Sequence, residues 1–273
     1  MNKYLKNIGQ ACSKIEDVEV VFVNDSPNIK LEFDEKLVTN FSLRIIENDK
    51  NIGIHASRCN GLKNAKGKYV LFLDQDDEIT NDALISQYNK IEQGADLVLG
   101  NGMYEDKITT SKIFYNKFSQ RFAIKKTPYI LARNLIISPG QCLIKKDSIP
   151  DFWKEHYLES NGADDYLLWL LMFNDNAKII CNYDIVYIHK YTGDNVSLNN
   201  EKMYKSQKDL VEILQKNKEY NSRDLIKLQR TIDYKYNYKK KFFKETIKNL
   251  DIFIYNVYYK ILWKGYVFDK NIW

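Results

Sequence analysis

The chain has 273 residues, of which 44% are hydrophobic and 28% are charged, so it can bury one large core or a core with an appendage. Its net charge of +5 is too small to indicate a nucleic-acid-binding protein. The four cysteines lie far apart without a C-x-x-C pair, which favours reduced thiols over a disulfide framework or a zinc site. The sequence shows no secretory signal and no apolar run of membrane-spanning length, so we expect a cytoplasmic protein, attached at most to the inner face of a membrane.

Strands alternate with helices in the first hundred residues. The pattern predicts strands at residues 18–23, 41–46, 69–73 and 95–99, and helices at residues 54–66 and 81–93. The run at residues 69–73 is continuously apolar, which is typical of a parallel strand buried on both faces. This alternation predicts an α/β fold with a mostly parallel sheet flanked by helices, whose ligands bind at the carboxyl ends of the strands. Two acidic turns, at Asp25 and at residues 74–77, lie at such ends.

The composition changes near residue 200. Residues 223–248 are rich in Lys, Gln and Glu, with apolar residues at helical spacing, and tyrosine and lysine dominate beyond them. We therefore predict an α/β domain over residues 1–199 and a helical, Lys- and Tyr-rich C-terminal region over residues 200–273. Between residues 234 and 248 six lysines stand against one acidic residue, which concentrates the net charge of the chain in this segment.

Three carboxylates follow the apolar run directly, at Asp74, Asp76 and Asp77. Like charges this close repel one another, and a folded protein tolerates them when a cation compensates them. Oxygen ligands of this kind suit Mg²⁺ or Mn²⁺, which reach proteins through one or two carboxylates together with substrate phosphates. The alternative is a solvated acidic turn that caps the next helix, which is the better interpretation of so short a pattern taken alone.

The segment that ends in this turn carries a longer pattern. Residues 51–77 read N-I-G-I-H-A-S-R-C-N-G-L-K-N-A-K-G-K-Y-V-L-F-L-D-Q-D-D. The segment resembles, without a gap, the signature of family 2 glycosyltransferases with the GT-A fold, which is close to N-x-G-x-x-x-A-R-N-x-G-x-x-x-A-x-G-x-Y-x-x-F-L-D-x-D-D. Ser57 and Cys59 replace the usual Ala and Asn, at positions to which the family assigns no chemistry. The resemblance implies a GT-A-like glycosyltransferase domain over residues 1–199 that uses a nucleotide sugar, above all a UDP-sugar, in glycan or polysaccharide assembly.

The resemblance also implies roles for single residues. The positions that match the family's nucleotide-sugar contacts are Asn24, Asp25, Arg58, Asp74 and Gln75. Asp76 matches the residue of the DxD motif that holds a Mn²⁺ or Mg²⁺ ion on the diphosphate, and Asp77 matches a position that supports the turn or the ligand. Two alternatives stay open, because residues 24–25 also suit a plain Asx turn and Arg58 also suits a structural salt bridge.

Later segments continue the likeness. Residues 137–146 resemble the glycine-bearing loop and strand beside the family's acceptor site, and Asp164-Asp165 resembles its E-D motif at a helix start. The second acid of that motif is the catalytic base of inverting members, which makes Asp165 the candidate base here. Since capping and the helix dipole also favour Asp at a helix N-terminus, a structural role is the alternative. Residues 186–197 match the family's closing segment inexactly, with His189 as a basic group that could contact the diphosphate.

The sequence differs from the family pattern at the start of the domain. Members normally have a central strand before a helix like that of residues 3–14, whereas this sequence opens at the helix. Either the chain is a truncated version of a longer protein or another segment substitutes for this strand, and the departure puts donor affinity, and with it activity, in question. One alternative is then a catalytically silent GT-A domain that binds a nucleotide sugar or a partner protein. Another is a nucleic-acid-binding module in the C-terminal region, but it leaves the signature unexplained, so we expect no nucleic-acid partner.

The region after residue 234 suggests a membrane contact. Its lysines are interleaved with tyrosines and phenylalanines, and further aromatic residues follow as far as Trp263. One interpretation is a packed helical appendage whose lysines are only solvated. The other is an electrostatic attachment to anionic lipid, with aromatic side chains at the level of the headgroups. The second interpretation suits an enzyme that acts on a lipid-linked acceptor.

Overall fold

The computed structural model describes residues 1–105, 109–190, 199–238 and 241–264. Its strands are β1 (Glu19–Asn24), β2 (Ser42–Glu47), β3 (Tyr69–Val70), β4 (Glu78–Ile79), β5 (Leu97–Glu105), β6 (Thr110–Lys112), β7 (Cys142–Lys145) and β8 (Ile179–Lys190). Its helices are α1 (Asn2–Cys12), α2 (Ile54–Asn64), α3 (Ala83–Ile91), α4 (Lys117–Phe122), α5 (Lys126–Leu131), α6 (Asp151–Glu155), α7 (Asp164–Asn174), α8 (Asn200–Lys216), α9 (Ser222–Tyr238), α10 (Phe242–Lys248) and α11 (Leu250–Lys264). The chain is thus mixed up to β8 and helical in the part described after it.

The strands form two separate sheets. β1 and β2 pair in parallel along their whole length, while the second sheet has the order β3-β7-β5-β8-β4, with β6 on β5. In that sheet β5 and β8 are parallel, and the other pairings among the described residues are antiparallel. The predicted α/β class is therefore confirmed, but the pairing is mixed rather than mostly parallel. Hydrophobic patterning located the strands, and it carries no information about the direction of their neighbours.

The apolar run at residues 69–73 departs most clearly from the predicted elements. β3 covers Tyr69–Val70 and pairs with β7, whereas residues 71–73 continue without strand pairing and are half-buried. The reason is that the described residues show no pairing between β1 and β3, so β3 lies at the edge of its sheet. An edge strand lacks the second neighbour that a fully buried parallel strand has. The described strands therefore form two separate sheets, with β3 at the edge of the larger one.

α7 runs through the middle of the hydrophobic core. Every side chain over residues 166–172 is buried, as expected of a helix with packing partners on all sides. Ile144 of β7 and Tyr187 of β8 belong to the same core. Because α7 is held in this way, its first residues, Asp164 and Asp165, have a fixed position beside the sheet.

The helices α8 to α11 form the predicted helical C-terminal region. α8 begins at Asn200, and α9 and α11 pack against α5. Leu210, Leu214 and Leu228 are fully buried in a core that is shared with the α/β part. Within the described ranges, no helix combines the length and the apolar character that crossing a membrane requires.

Candidate active site

Arg58 joins the two acidic segments that the sequence singled out. α2 buries His55 and Cys59 against the core, which turns Arg58 toward the end of residues 69–74 and the start of α7. The guanidinium donates a hydrogen bond of 2.6 Å to Asp74 through Nη2 and another of 2.6 Å to Asp164 through Nη1. One cation therefore brings the acidic turn and the acidic helix start into a single site.

The charge of Arg58 is fixed by its surroundings. Its side chain is 13% exposed, and burial alone would lower the pKa of the guanidinium. Asp164, Asp74 and Asp165 nevertheless raise that pKa above its ordinary value. Removal of the cation would leave carboxylates without compensation, the situation that makes a broken buried ion pair costly. The salt-bridge interpretation of Arg58 is therefore realised, and its contact with a nucleotide sugar stays a prediction.

Asp77 is the buried member of the acidic turn. Its carboxylate accepts hydrogen bonds from the Tyr187 hydroxyl and from the Lys190 backbone amide (3.1 Å), and His189 Nδ1 lies 3.0 Å from Asp77 Oδ1. Burial would lower the pKa of His189, but its hydrogen bond to Asp77 and the charge of Asp77 raise it. The structure thus uses Asp77 to tie the turn to β8, and His189 lies beside this carboxylate.

The other carboxylates of the turn are open to solvent. Asp74 is half-exposed and bonded to Arg58, while Gln75 and Asp76 are exposed. Partial burial, followed by the charges of Asp77 and Asp74, raises the pKa of Asp76. The protein leaves part of the negative charge of this turn uncompensated, and a divalent cation would neutralise it. The carboxylate oxygens of the turn are ligands that fit Mn²⁺ or Mg²⁺. Over the residues that the structure describes, no group of three His, Cys, Asp or Glu side chains could hold a metal alone, so ligand oxygens would have to complete the coordination.

Asp165 lies beside the ion pair but outside it. Its Oδ1 accepts a 2.6 Å hydrogen bond from the backbone amide of Tyr166, and its Oδ2 accepts one of 3.1 Å from Asn134 Nδ2. Burial, together with the charge of Asp164, raises the pKa of Asp165 to about 7, although Arg58 opposes the rise. The N-cap position of α7 is Ala163, so Asp165 is not the N-cap residue of its helix. A carboxylate with such a pKa can accept a proton near neutral pH.

The turn after β1 is held by its own side chains. Asn24 is buried, with its Oδ1 accepting from the Ser26 amide (3.0 Å) and its Nδ2 donating to a backbone carbonyl, as in an Asx turn. The Asp25 carboxylate accepts hydrogen bonds of 2.8 and 2.9 Å from the amides of Ile52 and Gly53 at the start of α2. The structure therefore favours the Asx-turn interpretation for Asn24. Asp25 orders the loop before α2 and, as a carboxylate, retains lone pairs for a ligand.

Asn134 is the site residue that sequence reasoning missed. It lies after α5, 31 residues from the carboxylate that it contacts, and no motif surrounds it.

The loop at residues 137–146, which the sequence did single out, packs against β8. A Cβ on Gly140 would lie 2.8 Å from the Tyr187 ring, so this loop approaches β8 closely because it carries glycine.

The closing segment is described in part. His189 and Lys190 end β8, and the Lys190 ammonium lies 2.8 Å from Glu105 Oε2 and 3.3 Å from Glu78 Oε2. A contact of His189 with a diphosphate stays a prediction. The rest of the predicted segment, residues 191–197, lies outside the described residues.

Comparison with known proteins finds one family model and several bacterial glycosyltransferases that are similar to this sequence. The model of the family described as "Glycosyl transferase family 2" matches residues 3–153, more than half of the chain. The chain is 27% identical over 139 residues to the Campylobacter jejuni GalNAc(5)-diNAcBac-PP-undecaprenol beta-1,3-glucosyltransferase, covering 50% of this chain and 41% of the relative. It is 25% identical over 210 residues to the Escherichia coli UDP-Glc:alpha-D-GlcNAc-diphosphoundecaprenol beta-1,3-glucosyltransferase WfgD, covering 71% and 73%. The chain spans less than half the length of the first curated relatives that it matches.

The fold has a solved counterpart in TarS 1–349 of S. aureus, determined in complex with UDP-GlcNAc. The two structures superpose with a TM-score of 0.62 at 19% sequence identity, over 87% of this chain and 70% of the other. At this identity the likeness concerns the fold, and it confirms the GT-A-like architecture that the signature implied.

Proposed function

The chain belongs to glycosyl transferase family 2, and we propose that it moves a sugar from a UDP-sugar to an acceptor hydroxyl with inversion at the anomeric carbon. The observation that carries this proposal is the pair of hydrogen bonds from Arg58, to Asp74 and to Asp164. It joins the acidic turn, which the family places at the donor, to the buried acid pair, which the family places at the acceptor. This junction supports the proposal that the donor and the acceptor meet at one site.

The proposed step is a single displacement. The acceptor oxygen attacks the anomeric carbon, its proton passes to the Asp165 carboxylate, and the bond from the anomeric carbon to the nucleotide diphosphate breaks. Asp165 suits this role because burial raises its pKa to about 7, so that it binds a proton readily near neutral pH. Asp164 is less suited, because its carboxylate is engaged by the Arg58 cation.

On the donor side, Arg58 and Asp74 would position the nucleotide sugar, with Asp25, Asn24 and the exposed Gln75 as further predicted contacts. Asp76 is the residue that we propose as the protein ligand of Mn²⁺ or Mg²⁺. When bound, such an ion neutralises charge on the departing diphosphate. Arg58 places a second, permanent positive charge next to the acidic turn.

The activities for which the relatives are named support the choice of substrates. The Escherichia coli enzyme is named for UDP-Glc, TarS was determined with UDP-GlcNAc, and both bacterial glucosyltransferases are named for undecaprenol-linked acceptors. We accordingly propose a UDP-sugar donor, a lipid-linked glycan acceptor and a role in polysaccharide assembly at the cytoplasmic face of a membrane. The same reasoning supports the proposal that the C-terminal region contacts that membrane.

A screen of nucleotide sugars tests the function. The chain is incubated with a panel of UDP-, GDP- and dTDP-sugars and Mn²⁺, and release of the nucleotide is measured with and without a chelator. We expect release from one or more UDP-sugars that stops when the chelator is added. Binding of UDP without release from any donor would instead support a catalytically silent domain, an alternative that the separation of the β1–β2 sheet from the second sheet keeps relevant.

A further inference from the structure

The last two helices expose an apolar surface. Among the described residues, eight of the fifteen exposed large hydrophobic side chains lie between residues 242 and 261. They are Phe242, Phe243, Ile247, Leu250, Ile254, Val257, Tyr258 and Ile261. We name these eight residues the apolar stripe. The five stripe residues of α11 recur at helical spacing and therefore share one face of that helix. Apolar residues grouped in this way mark an interaction site far more often than scattered single residues do.

The opposite face of α11 fixes the stripe in place. Ile252 and Tyr259 are buried, and Tyr259 stacks on Phe122 with ring centroids 5.7 Å apart. Asn256 Nδ2 donates a 2.8 Å hydrogen bond to the backbone carbonyl of Leu131, at the end of α5. Since these residues lie on the face that packs against α5, the helix cannot rotate to bury the stripe without losing those contacts.

Positive charge lies next to the stripe. Lys241, Lys244 and Lys248 are all exposed on and beside α10. The acidic residues of α10 and α11 already have partners, because Asp251 forms a 2.8 Å ion pair with Arg230 and Glu245 accepts a 3.4 Å hydrogen bond from Asn249 Nδ2. The segment therefore combines exposed aliphatic and aromatic side chains with an excess of lysine.

We propose that the apolar stripe and these three lysines form a docking surface for an anionic lipid bilayer. Apolar side chains would enter the boundary between headgroups and acyl chains, while the lysines meet lipid phosphates. A second copy of the chain fits the surface less well, because a symmetric pair would bring equal patches of lysines together. The charge complementarity thus favours lipid over self-association.

This surface differs in composition from the one that the sequence suggested. Tyr234 and Tyr259, which belonged to the aromatic set expected at the headgroups, are buried in the protein. Aliphatic residues of α11, above all Ile254 (57% exposed) and Ile261 (65% exposed), take their place. The sequence pattern located the region, and the packing on α5 determined which of its residues face outward.

The docking surface connects to the proposed chemistry through α5. α11 packs on α5, and the loop after α5 carries Asn134, which binds Asp165. Attachment of α11 to a bilayer would therefore hold the base-bearing part of the site close to a lipid-linked acceptor. The advantage of holding the base close to a lipid-linked acceptor rests on the proposed function, whereas the binding of lipid itself does not depend on catalysis.

Vesicle flotation of the full chain tests the surface. Phosphatidylcholine vesicles with rising phosphatidylglycerol content are used at several salt concentrations, and we expect binding that rises with phosphatidylglycerol and falls with salt. The substitutions Lys241→Gln, Lys244→Gln and Lys248→Gln together should weaken binding on the order of 100-fold, at about fivefold per lysine. Ile254→Gln with Ile261→Gln should weaken it at least about tenfold.

Matched controls separate the surface from general charge and apolarity. Lys202→Gln, Lys205→Gln and Lys216→Gln remove the same charge from exposed positions of α8, and Ile226→Gln alters an equally exposed isoleucine (60%) on α9. The controls and Asp165→Asn should all float as the unaltered chain does. Since every altered stripe residue points outward, circular dichroism should show an unchanged helix content in each variant.

Three outcomes would overturn the inference. They are equal flotation of the stripe and control variants, indifference of the unaltered chain to lipid charge, and a lipid-free dimer that Ile254→Gln converts to a monomer. The last result would assign the stripe to a second copy. If vesicles bind as expected but no nucleotide sugar is turned over, the proposed function fails and the docking surface stands.

Discussion

The acidic turn after β3 and the start of α7 each contain two adjacent aspartates that the protein treats differently. In the turn, Asp77 is buried and hydrogen-bonded to β8, while Asp76 is exposed and free of protein cations within 4 Å among the described residues. At α7, Asp164 is paired with Arg58, while Asp165 is held by an amide and by Asn134. In each pair one carboxylate is used to fix the structure.

The comparison shows how neighbouring acids acquire different properties. Asp164 and Asp165 are both buried, but only Asp164 bonds directly to the guanidinium, and the pKa of Asp165 is raised to about 7. Partial burial, followed by the charges of Asp77 and Asp74, likewise raises the pKa of Asp76. The group with the less compensated charge is the one that a proton or a cation would bind most favourably, which is the reason that we propose chemical roles for Asp165 and Asp76.

The largest effect is expected for the base. Asp165→Asn keeps the size of the side chain but removes the proton acceptor, so turnover should fall by roughly 100- to 10,000-fold while the affinity for UDP stays unchanged. Steady-state kinetics and calorimetry measure the two quantities. Asp175→Asn, at the exposed far end of α7, is the matched control. Near-normal turnover of Asp165→Asn would show that this residue has a structural role, as Asp164 does.

A smaller effect is expected for the metal ligand. Asp76→Asn should weaken Mn²⁺-dependent UDP binding about tenfold or more, since loss of even an outer-shell partner costs a metal site that much. Calorimetry with and without Mn²⁺ measures it. Asp147→Asn serves as a control, because Asp147 is exposed and follows β7 near the opposite end of the apolar run. Unchanged metal-dependent affinity in Asp76→Asn would show that another group holds the ion.

Folding stability should depend more on Asp77 than on Asp76, whereas metal binding is expected to depend on Asp76. Asp77→Asn replaces an acceptor of several buried hydrogen bonds and should lower the free energy of unfolding by about 1–3 kcal/mol. Asp76→Asn removes an exposed charge and should change it by less than about 0.5 kcal/mol. Urea denaturation followed by fluorescence compares the variants. Equal destabilisation would mean that both carboxylates support the fold.

The smallest effect concerns pH. Because the pKa of Asp165 is raised to about 7, its basic form is lost as the pH falls through neutrality, and turnover should decline on the acid side. The hydrogen bond from Asn134 lowers this pKa, so Asn134→Ala should move the acid limb to higher pH, by less than about one unit. The pH dependence of kcat measures the shift. A limb that stays in place would show that Asn134 does not act on the base.

The sequence predicted the elements around the site better than the contacts within it. The signature at residues 51–77 led to Arg58 and to the acidic turn, because a gapless match fixes both residue types and spacing. The helix start at Asp164-Asp165 followed from its own short motif. These features are local, so the chain order alone places them correctly.

Contacts between residues that are far apart in the chain could not be predicted from the sequence. Asn134 reaches Asp165 only because α5 packs beside α7, and the Asn24 side chain hydrogen-bonds within its own turn. The run at residues 69–73 is half-buried because the pairing of β3 depends on the neighbouring strands. Such properties depend on which elements become neighbours, and hydrophobic periodicity does not encode that choice.

The central claim is that Asp165 acts as a base in a single displacement, and the configuration of the product tests it most directly. The enzyme is given a UDP-sugar whose sugar is α-linked to the diphosphate, together with an acceptor, and the new glycosidic bond is assigned by proton NMR. We expect a β-linked product, formed without a covalent sugar–enzyme intermediate. An α-linked product would show retention of configuration and would contradict the role given to Asp165.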